Sequence, residues 1–252
     1  MILLALLLAA GPPAPSIAAR YDSCVKLADS DAQAAIASAT RWAGDGGGIP
    51  AGQCLGLARV AAGDWKGAAD AFAATAAIAE QTNDGRAANL LVSAGNAALA
   101  GGDYARAREA LTRAVALPAL TDPMKGEAYL DRARASVAED KPADARADID
   151  QALTLVPGDP MAWLLSATLA RRMDDPARAA KDIAEADRRA PNEPAILLER
   201  GTIAAAAGDM AAARTAWTQA RATDPASDAG LAAQKALEGS GGIPKAAVRE
   251  GR

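Results

Sequence analysis

Acidic residues are the strongest candidates for a catalytic role in this sequence. They form two groups, which are Asp144, Asp148 and Asp150, and then Asp182, Glu185 and Asp187. Two carboxylates at a suitable separation can act as general acid and base in glycoside hydrolysis. Both groups, however, have basic residues within one helical turn, which favours solvent-exposed ion pairs on outer helix faces. We therefore predict no catalytic residue among them.

Histidine is absent from the whole sequence. This absence excludes catalytic triads and dyads that use an imidazole base, and zinc or haem sites that use an imidazole ligand. The glycine-rich run at 44–48 lacks the lysine and hydroxyl residue that follow a phosphate-binding loop, so we predict a linker there. We accordingly predict a protein that is not an enzyme and that needs no cofactor and no metal.

The composition predicts an all-α fold for this chain of 252 residues. Hydrophobic residues make up 51% of the sequence but aromatic residues only 3%, so the core must consist mainly of alanine and leucine. These residues favour helices over strands. The formal charge of -4 at pH 7 provides no general attraction for nucleic acid, and we expect no nucleic-acid partner.

The N-terminus is typical of an export signal. An unbroken apolar run from Ile2 to Ala10 is followed by prolines and then by the small-residue stretch at 16–19. Cleavage is expected after Ala18 or Ala19. As a membrane anchor, this run would reach only about 14 Å, against a hydrocarbon core of about 30 Å. We therefore expect an exported protein without a stable membrane anchor.

The sequence holds two cysteines, Cys24 and Cys54. An even count in an exported chain favours a disulfide. Closing a loop of about 30 residues would stabilise the fold by about 3–4 kcal/mol in the chain-entropy model. Two reduced, buried thiols are the alternative. A metal or redox role is disfavoured because the spacing is not that of a Cys-x-x-Cys motif.

Three prolines recur at equal intervals and mark a repeat, namely Pro157, Pro191 and Pro225. A small, a large and a second small residue precede each proline at helical spacing, and they share one helix face. These residues are Ala145, Ile149 and Ala152; Ala179, Ile183 and Ala186; and Ala213, Trp217 and Ala220. A second helical pattern lies upstream in each unit, so each repeat is predicted to be a pair of helices.

This pattern resembles the tetratricopeptide repeat, a helix-turn-helix unit of about 34 residues. Two earlier segments fit it with longer connections, one from Leu55 to Phe72 and one from Leu91 to Ala114. The resemblance implies an all-α fold, a right-handed α-solenoid of about five repeats with an N-terminal helical segment and a C-terminal capping helix. A single repeat would not fold alone, because each repeat completes its core through the next.

The predicted domain organisation has five parts. Residues 1–19 are the signal peptide, residues 20–49 an N-terminal helical segment with a glycine-rich linker, and residues 50–225 the repeat domain. Residues 226–239 form the capping helix, and residues 240–252 a flexible tail. Within the N-terminal segment we expect one or two helices over 22–43, an imperfect half-repeat, followed by a loop over 44–52.

Tetratricopeptide proteins typically hold a peptide or a partner's helix on the concave surface formed by the first helix of each repeat. The resemblance therefore implies a groove of apolar anchors flanked by hydrogen-bonding groups. Its predicted residues are Asn89, Val92, Asn96, Glu127, Leu130, Arg134, Met161, Leu164, Thr168, Arg171, Leu198 and Thr202. A plain solvent-exposed face, or a face covered by the N-terminal segment or by a second copy, is the alternative.

Together these features predict a non-enzymatic scaffold or adaptor that binds a protein or peptide partner in the periplasm. The periplasmic location rests on the signal-like N-terminus and on the resemblance to bacterial repeat proteins. A structural, self-associating repeat protein of the cell envelope, which would form homo-oligomers, is the competing hypothesis.

Overall fold

The computed structural model describes residues 15–240, and all regular structure in this range is α-helical. The helices in chain order are α1 (Ile17–Ser30), α2 (Ala32–Gly44), α3 (Gly48–Ala61), α4 (Trp65–Gln81), α5 (Ala87–Ala100), α6 (Tyr104–Ala116), α7 (Asp122–Ala138), α8 (Pro142–Leu155), α9 (Pro160–Arg172), α10 (Pro176–Arg189), α11 (Pro194–Ala206), α12 (Met210–Thr223) and α13 (Asp228–Ser240). The predicted all-α fold is confirmed. Residues 1–14 of the predicted signal peptide, and residues 241–252 of the predicted tail, lie outside the described residues.

The chain divides into two compact units between Ala119 and Leu120. In the first unit, α3 packs on α4, α4 on α5 and α5 on α6. In the second unit, α7 to α12 pack in the same consecutive manner within and between three helix pairs, and α13 packs on α11 and α12. The helix pairs α3/α4, α5/α6, α7/α8, α9/α10 and α11/α12 correspond to the five predicted repeats.

Aspartate side chains and prolines determine where many of these helices begin. Asp64 accepts a hydrogen bond from the Gly67 amide at 2.9 Å, and Asp209 accepts one from the Ala212 amide at 2.9 Å. Such bonds satisfy amides that have no partner within the helix. The preceding Gly63 and Gly208 have φ angles of 71° and 84°, a left-handed conformation that glycine adopts without steric cost. These Gly-Asp turns therefore separate the two helices of a repeat.

The two helices of a repeat meet through a small residue on the first helix and a large residue on the second. A Cβ atom added to Gly56 would lie 2.4 Å from the Phe72 ring, and one added to Gly95 would lie 2.6 Å from Leu111. The equivalent distance from Gly201 to the Trp217 ring is 2.5 Å. These distances leave no room for a methyl group, so the small residue sets how closely the two helices approach.

We expect Gly56→Ala to lower the free energy of unfolding by about 1–3 kcal/mol, because overpacking outweighs the gain of about 1 kcal/mol in helix propensity. Gly44→Ala is the matched control. Gly44 is also helical, but a Cβ atom there would have no neighbour within 4 Å, so this variant should be neutral or slightly stabilised. Urea unfolding followed by circular dichroism measures both, and equal stabilities would contradict the close-approach argument.

The N-terminal segment is more regular than the sequence predicted. Helices α1 and α2 form a complete hairpin, and both pack on α3, so the expected half-repeat is a full helix pair. The predicted loop over 44–52 is wrong, since only residues 45–47 lie between the two helices and Gly48 to Gly52 belong to α3. Pro50 does not prevent this because the first turn of a helix needs no amide donor.

A disulfide joins Cys24 on α1 to Cys54 on α3, with the two Cα atoms 6.3 Å apart. Both cysteines are buried in a cluster with Ala39, Trp42 and Ala51. Arg20 stacks on the Trp42 ring with its guanidinium carbon 4.8 Å from the ring centroid. The disulfide therefore fastens the N-terminal hairpin to the first repeat, as expected from the sequence.

Helix α13 is the last helix within residues 15–240 and lies where the sequence predicted a capping helix. Leu231 and Lys235 lie one repeat interval after Leu197 and Gly201 and so occupy equivalent repeat positions. Leu197 is only 2% exposed, whereas Leu231 is 55% exposed. Lys235, which is also exposed, stands where the repeats carry a glycine or alanine, and its side chain would obstruct the close approach of a following helix.

Candidate partner-binding surface

Helix α9 carries four of the predicted groove residues, spaced so that they share one side of the helix. They are Met161, Leu164, Thr168 and Arg171. Met161 is 40% exposed, and the other three are half-buried. The opposite side of α9 is buried against α8 and α10. Helix α9 therefore presents an accessible strip that begins with an apolar anchor and continues with a hydroxyl and a guanidinium group.

Helix α11 extends this surface with Leu198 and Thr202, which are both half-buried. A paired ionic contact links the two helices, because Arg171 Nε lies 2.6 Å from Glu199 Oε1 and Nη2 lies 3.3 Å from Oε2. Glu199 is 9% exposed. Arg171 is consequently engaged within the fold and holds α9 against α11, and its guanidinium is not a free anion-binding group. We call the surface formed by Met161, Leu164, Thr168, Arg171, Leu198 and Thr202 the unit 2 face.

Leu130 does not belong to the accessible surface, which corrects the sequence-based expectation. It is 1% exposed and lies in a core cluster with Ala133, Ile149, Ala162 and Leu169. This cluster includes residues of α8 and α9, whereas the corresponding Leu164 and Leu198 remain half-buried. The repeat interval in the sequence places these three leucines at the same repeat position, but it does not reveal how deeply each leucine is buried.

Acidic groups lie on α7 and directly before α9. Glu127 is exposed on α7, and Asp159 caps α9 by accepting a hydrogen bond from the Met161 amide at 2.8 Å. Partial desolvation, together with the Asp159 and Asp131 carboxylates, raises the pKa of Glu127. Arg134, which is also exposed, forms an ion pair with Asp131. Arg134 also acts on Glu127, where its positive charge opposes the increase in pKa.

In the first unit, the predicted groove residues on α5 are accessible. Asn89 and Asn96 are exposed and Val92 between them is half-buried. Their spacing places them on one side of the helix, so an apolar side chain is flanked by two amide groups. We call this set the unit 1 face.

A cleft of about 470 Å³ in the first unit was missed by the sequence analysis. It is lined by Ile17, Ala18, Tyr21, Pro50, Gln53 and Arg86. Pro50 and Gln53 occupy in the first repeat the positions that Asn89 and Val92 occupy in the second. That correspondence would have identified both residues. The residues contributed by α1 had no such signal, because the N-terminal hairpin does not follow the repeat spacing.

Two of the acidic residues that the sequence placed on solvated outer faces are buried instead. Asp148 is 5% exposed and Asp182 is 2% exposed. Arg132 donates to Asp148 from Nε at 2.9 Å and also from Nη2, and this carboxylate raises the pKa of Arg132. Asp182 accepts hydrogen bonds from the Ser166 hydroxyl and from Arg178. The prediction of exposed ion pairs is therefore wrong for these two residues.

The equivalent placement of Asp148 and Asp182 has a simple origin. They lie one repeat interval apart, and each bonds a residue on the first helix of its own repeat, Arg132 in one case and Ser166 in the other. Their carboxylates are occupied by helix-to-helix hydrogen bonds, which is a structural use of charge. Their recurrence at the repeat interval was a signal in the sequence for this structural role, because exposed ion pairs need not recur at the same repeat position.

No helix within residues 15–240 combines the length and apolar character needed to cross a membrane. The same part of the chain contains no group of three or more acidic or cysteine side chains arranged to hold a metal ion.

Solved structures with a similar fold include three tetratricopeptide proteins. A crystal structure of PilW, a widely conserved type IV pilus biogenesis factor, is 20% identical with a TM-score of 0.68, covering 86% of this chain and 98% of that one. PilF of Pseudomonas aeruginosa is 18% identical with a TM-score of 0.66, covering 88% and 99%. YrrB, a protein with an unusual peptide-binding site, is 16% identical with a TM-score of 0.55, covering 73% and 91%.

These likenesses establish the fold. No curated protein sequence matches the chain. A tetratricopeptide repeat family model matches residues 92–160 and 164–229, which together make up more than half of the sequence. The chain therefore belongs to the tetratricopeptide repeat family and has the architecture of its protein-interaction scaffolds.

Proposed function

We propose that this protein is a non-enzymatic, exported scaffold that binds a protein or peptide partner, and each of the two faces, the unit 2 face and the unit 1 face, is by itself a candidate surface. The observation that carries the proposal is the composition of the unit 2 face. Met161 is 40% exposed, and the same face carries half-buried leucines and threonines. Apolar anchors next to hydrogen-bonding groups suit the recognition of an extended or helical segment.

The chemistry of the side chains supports a non-enzymatic role. Histidine is absent from the sequence, and the buried carboxylates of Asp148 and Asp182 are engaged with partners inside the fold. A general acid or base needs a carboxyl group that can exchange a proton with a bound substrate. Partner binding also agrees with the peptide-binding site named for YrrB and the pilus biogenesis role named for PilW.

Export to the periplasm of a Gram-negative bacterium is the location that we propose. The signal-like N-terminus supports it, as does the Cys24–Cys54 disulfide, because disulfides persist in oxidising compartments. The expected cleavage after Ala18 or Ala19 falls in the first turn of α1. Such cleavage would remove Ile17 and Ala18 from the cleft of the first unit and leave Tyr21, Pro50 and Gln53 as its walls.

We expect Met161→Asp to abolish the recovery of the partner when the protein is cross-linked in the cell and analysed by mass spectrometry. A carboxylate at this exposed apolar position would have to be desolvated on binding. Met173→Asp is the matched control, since Met173 caps the other end of α9 and is 42% exposed. Leu130→Asp is unsuitable because it would place a charge in the core.

A partner recovered with the wild type and Met173→Asp, but not with Met161→Asp, would support the proposed surface. Recovery of the same partners with all three proteins would contradict it. Exclusive self-cross-links, unchanged in Met161→Asp, would favour the self-associating repeat protein instead. Circular dichroism of each purified variant verifies that the helical content is retained.

A further inference from the structure

A cleft of about 600 Å³ in the second unit is separate from the surface proposed above. Its walls include Asp150 and Leu153 on α8, Trp163 on α9, and Arg178, Lys181 and Asp182 on α10. None of the residues that line it belongs to the unit 2 face. We call it the α8–α10 cleft.

Asp182 brings an unpaired carboxylate oxygen to this cleft, although its side chain is only 2% exposed. The Ser166 hydroxyl and Arg178 Nε both donate to Oδ2, and no hydrogen bond from residues 15–240 reaches Oδ1. Oδ1 is not among the atoms of this range that are both fully enclosed and without a hydrogen bond. This oxygen is therefore open to the cleft.

The preceding repeat shows which donor Asp182 lacks. Asp148 and Arg132 lie one repeat interval before Asp182 and Ser166, respectively. Arg132 donates to both oxygens of Asp148, whereas the shorter Ser166 donates only to Oδ2 of Asp182. An unpaired oxygen on a buried carboxylate is costly in free energy, so Oδ1 is a favourable position for a cationic group from outside the chain.

Trp163 gives the cleft a fixed aromatic wall. Its Nε1 donates to the Pro157 carbonyl oxygen at 2.9 Å, and Arg189 Nε donates to the same oxygen at 3.0 Å. The Arg189 guanidinium carbon lies 5.0 Å from the centroid of the Trp163 ring. With Leu153 as a further apolar wall, the cleft can bury an apolar group of a ligand.

The remaining charged groups favour a ligand with no net charge. Arg178 forms ion pairs with Asp150 and, at 3.2 Å, with Asp182. Arg146 is a second partner of Asp150, at 3.5 Å. Two guanidinium groups thus balance two carboxylates. Lys181 is exposed and forms no ion pair within residues 15–240, so a positive group is also available to a ligand.

We propose that the α8–α10 cleft binds a free α-amino acid with an apolar side chain. The ammonium group of the ligand donates to Asp182 Oδ1, its carboxylate meets the Lys181 ammonium group, and its side chain packs on Trp163. Asp175, which also lines the cleft, adds to the attraction for the ammonium group. A few polar groups that fix orientation beside an apolar wall are typical of small-molecule sites. This inference goes beyond the proposed function and does not depend on it.

Isothermal titration calorimetry of the full chain with L-phenylalanine at millimolar concentrations tests the inference. N-acetyl-L-phenylalanine lacks the ammonium group and should bind about tenfold more weakly, because Oδ1 of Asp182 stays unpaired. L-phenylalaninamide lacks the carboxylate and should bind about threefold more weakly, because only an exposed charge pair is lost.

Two variants of the cleft have matched controls. Asp182→Asn should weaken binding of L-phenylalanine by about tenfold, whereas Asp148→Asn alters the equivalent carboxylate outside the cleft and should leave binding unchanged. Lys181→Gln should weaken binding by about threefold, and Lys235→Gln, at an exposed lysine of α13, should not. Circular dichroism verifies the fold of each variant, and Lys181→Gln tests the site even if Asp182→Asn does not fold.

Failure of L-phenylalanine to bind the wild type would overturn the inference. Equal affinity for L-phenylalanine and its two analogues would do the same, as would equal losses in Lys181→Gln and Lys235→Gln. Met161→Asp separates this inference from the proposed function, because Met161 does not line the cleft. This variant should bind L-phenylalanine like the wild type, and a loss of binding would place the amino acid on the unit 2 face instead.

Discussion

Asp148→Ala should lower the free energy of unfolding by about 3–5 kcal/mol, the range for breaking a buried ion pair by removing one partner. Asp148 is 5% exposed, and its carboxylate accepts two hydrogen bonds from the Arg132 guanidinium. Removing it takes away the principal counterion of a charged group that lies between α7 and α8. Urea unfolding followed by circular dichroism measures the change.

The double variant Arg132→Met with Asp148→Leu separates two contributions to stability, that of the Arg132–Asp148 ion pair and that of side-chain packing. Apolar replacement of both partners avoids an isolated buried charge, so the double variant should be more stable than Asp148→Ala. The interpretation would be contradicted if Asp148→Ala cost less than about 1 kcal/mol, which is the range of exposed ion pairs.

Removal of the disulfide should destabilise the first unit by about 3–4 kcal/mol in the chain-entropy model, because the bridge closes a loop between residues separated by 30 positions. We expect Cys24→Ser with Cys54→Ser to unfold at lower guanidinium concentration than the oxidised wild type. The bridge joins α1 to α3, so its loss also removes the covalent link between these two helices.

Treatment with a reductant is the control for the cysteine variants. Reduction should lower the stability of the wild type to near that of the double serine variant, and it should have no effect on the variant itself. Alkylation of the unfolded, unreduced wild type followed by intact-mass analysis should label neither cysteine. Two labelled cysteines would show that the bridge does not form in solution.

Local sequence signals predicted the architecture well because each repeat is specified by residues close together in the chain. The proline interval, the Gly-Asp turns and the small and large positions exemplified by Gly95 and Leu111 define the helix pairs. They act within a single repeat unit, so periodicity is sufficient to locate them. The N-terminal hairpin lacks this spacing, and the predicted loop over 44–52 consequently missed the start of α3.

The candidate surface was harder to predict because burial depends on neighbouring repeats. Leu130 and Leu164 have the same repeat position, yet Leu130 is buried in a core cluster that includes residues of α8 and α9, while Leu164 is half-buried. Asp148 likewise has basic residues nearby in sequence, but its partner is Arg132, 16 residues away on the other helix. Contacts between helices determine both the burial of Leu130 and the partner of Asp148. The spacing of residues within one helix does not reveal such contacts.

The exposed Lys235 on α13 restricts how the array could have grown during evolution. Duplication of one repeat unit ahead of α13 would supply another pair of helices with a small residue at the contact position. A helix added after α13 would instead have to pack against Lys235, which occupies the repeat position of Gly201. At Gly201 even an added Cβ atom would lie 2.5 Å from the Trp217 ring. Lengthening of this array by duplication is therefore expected from insertion of a repeat ahead of α13.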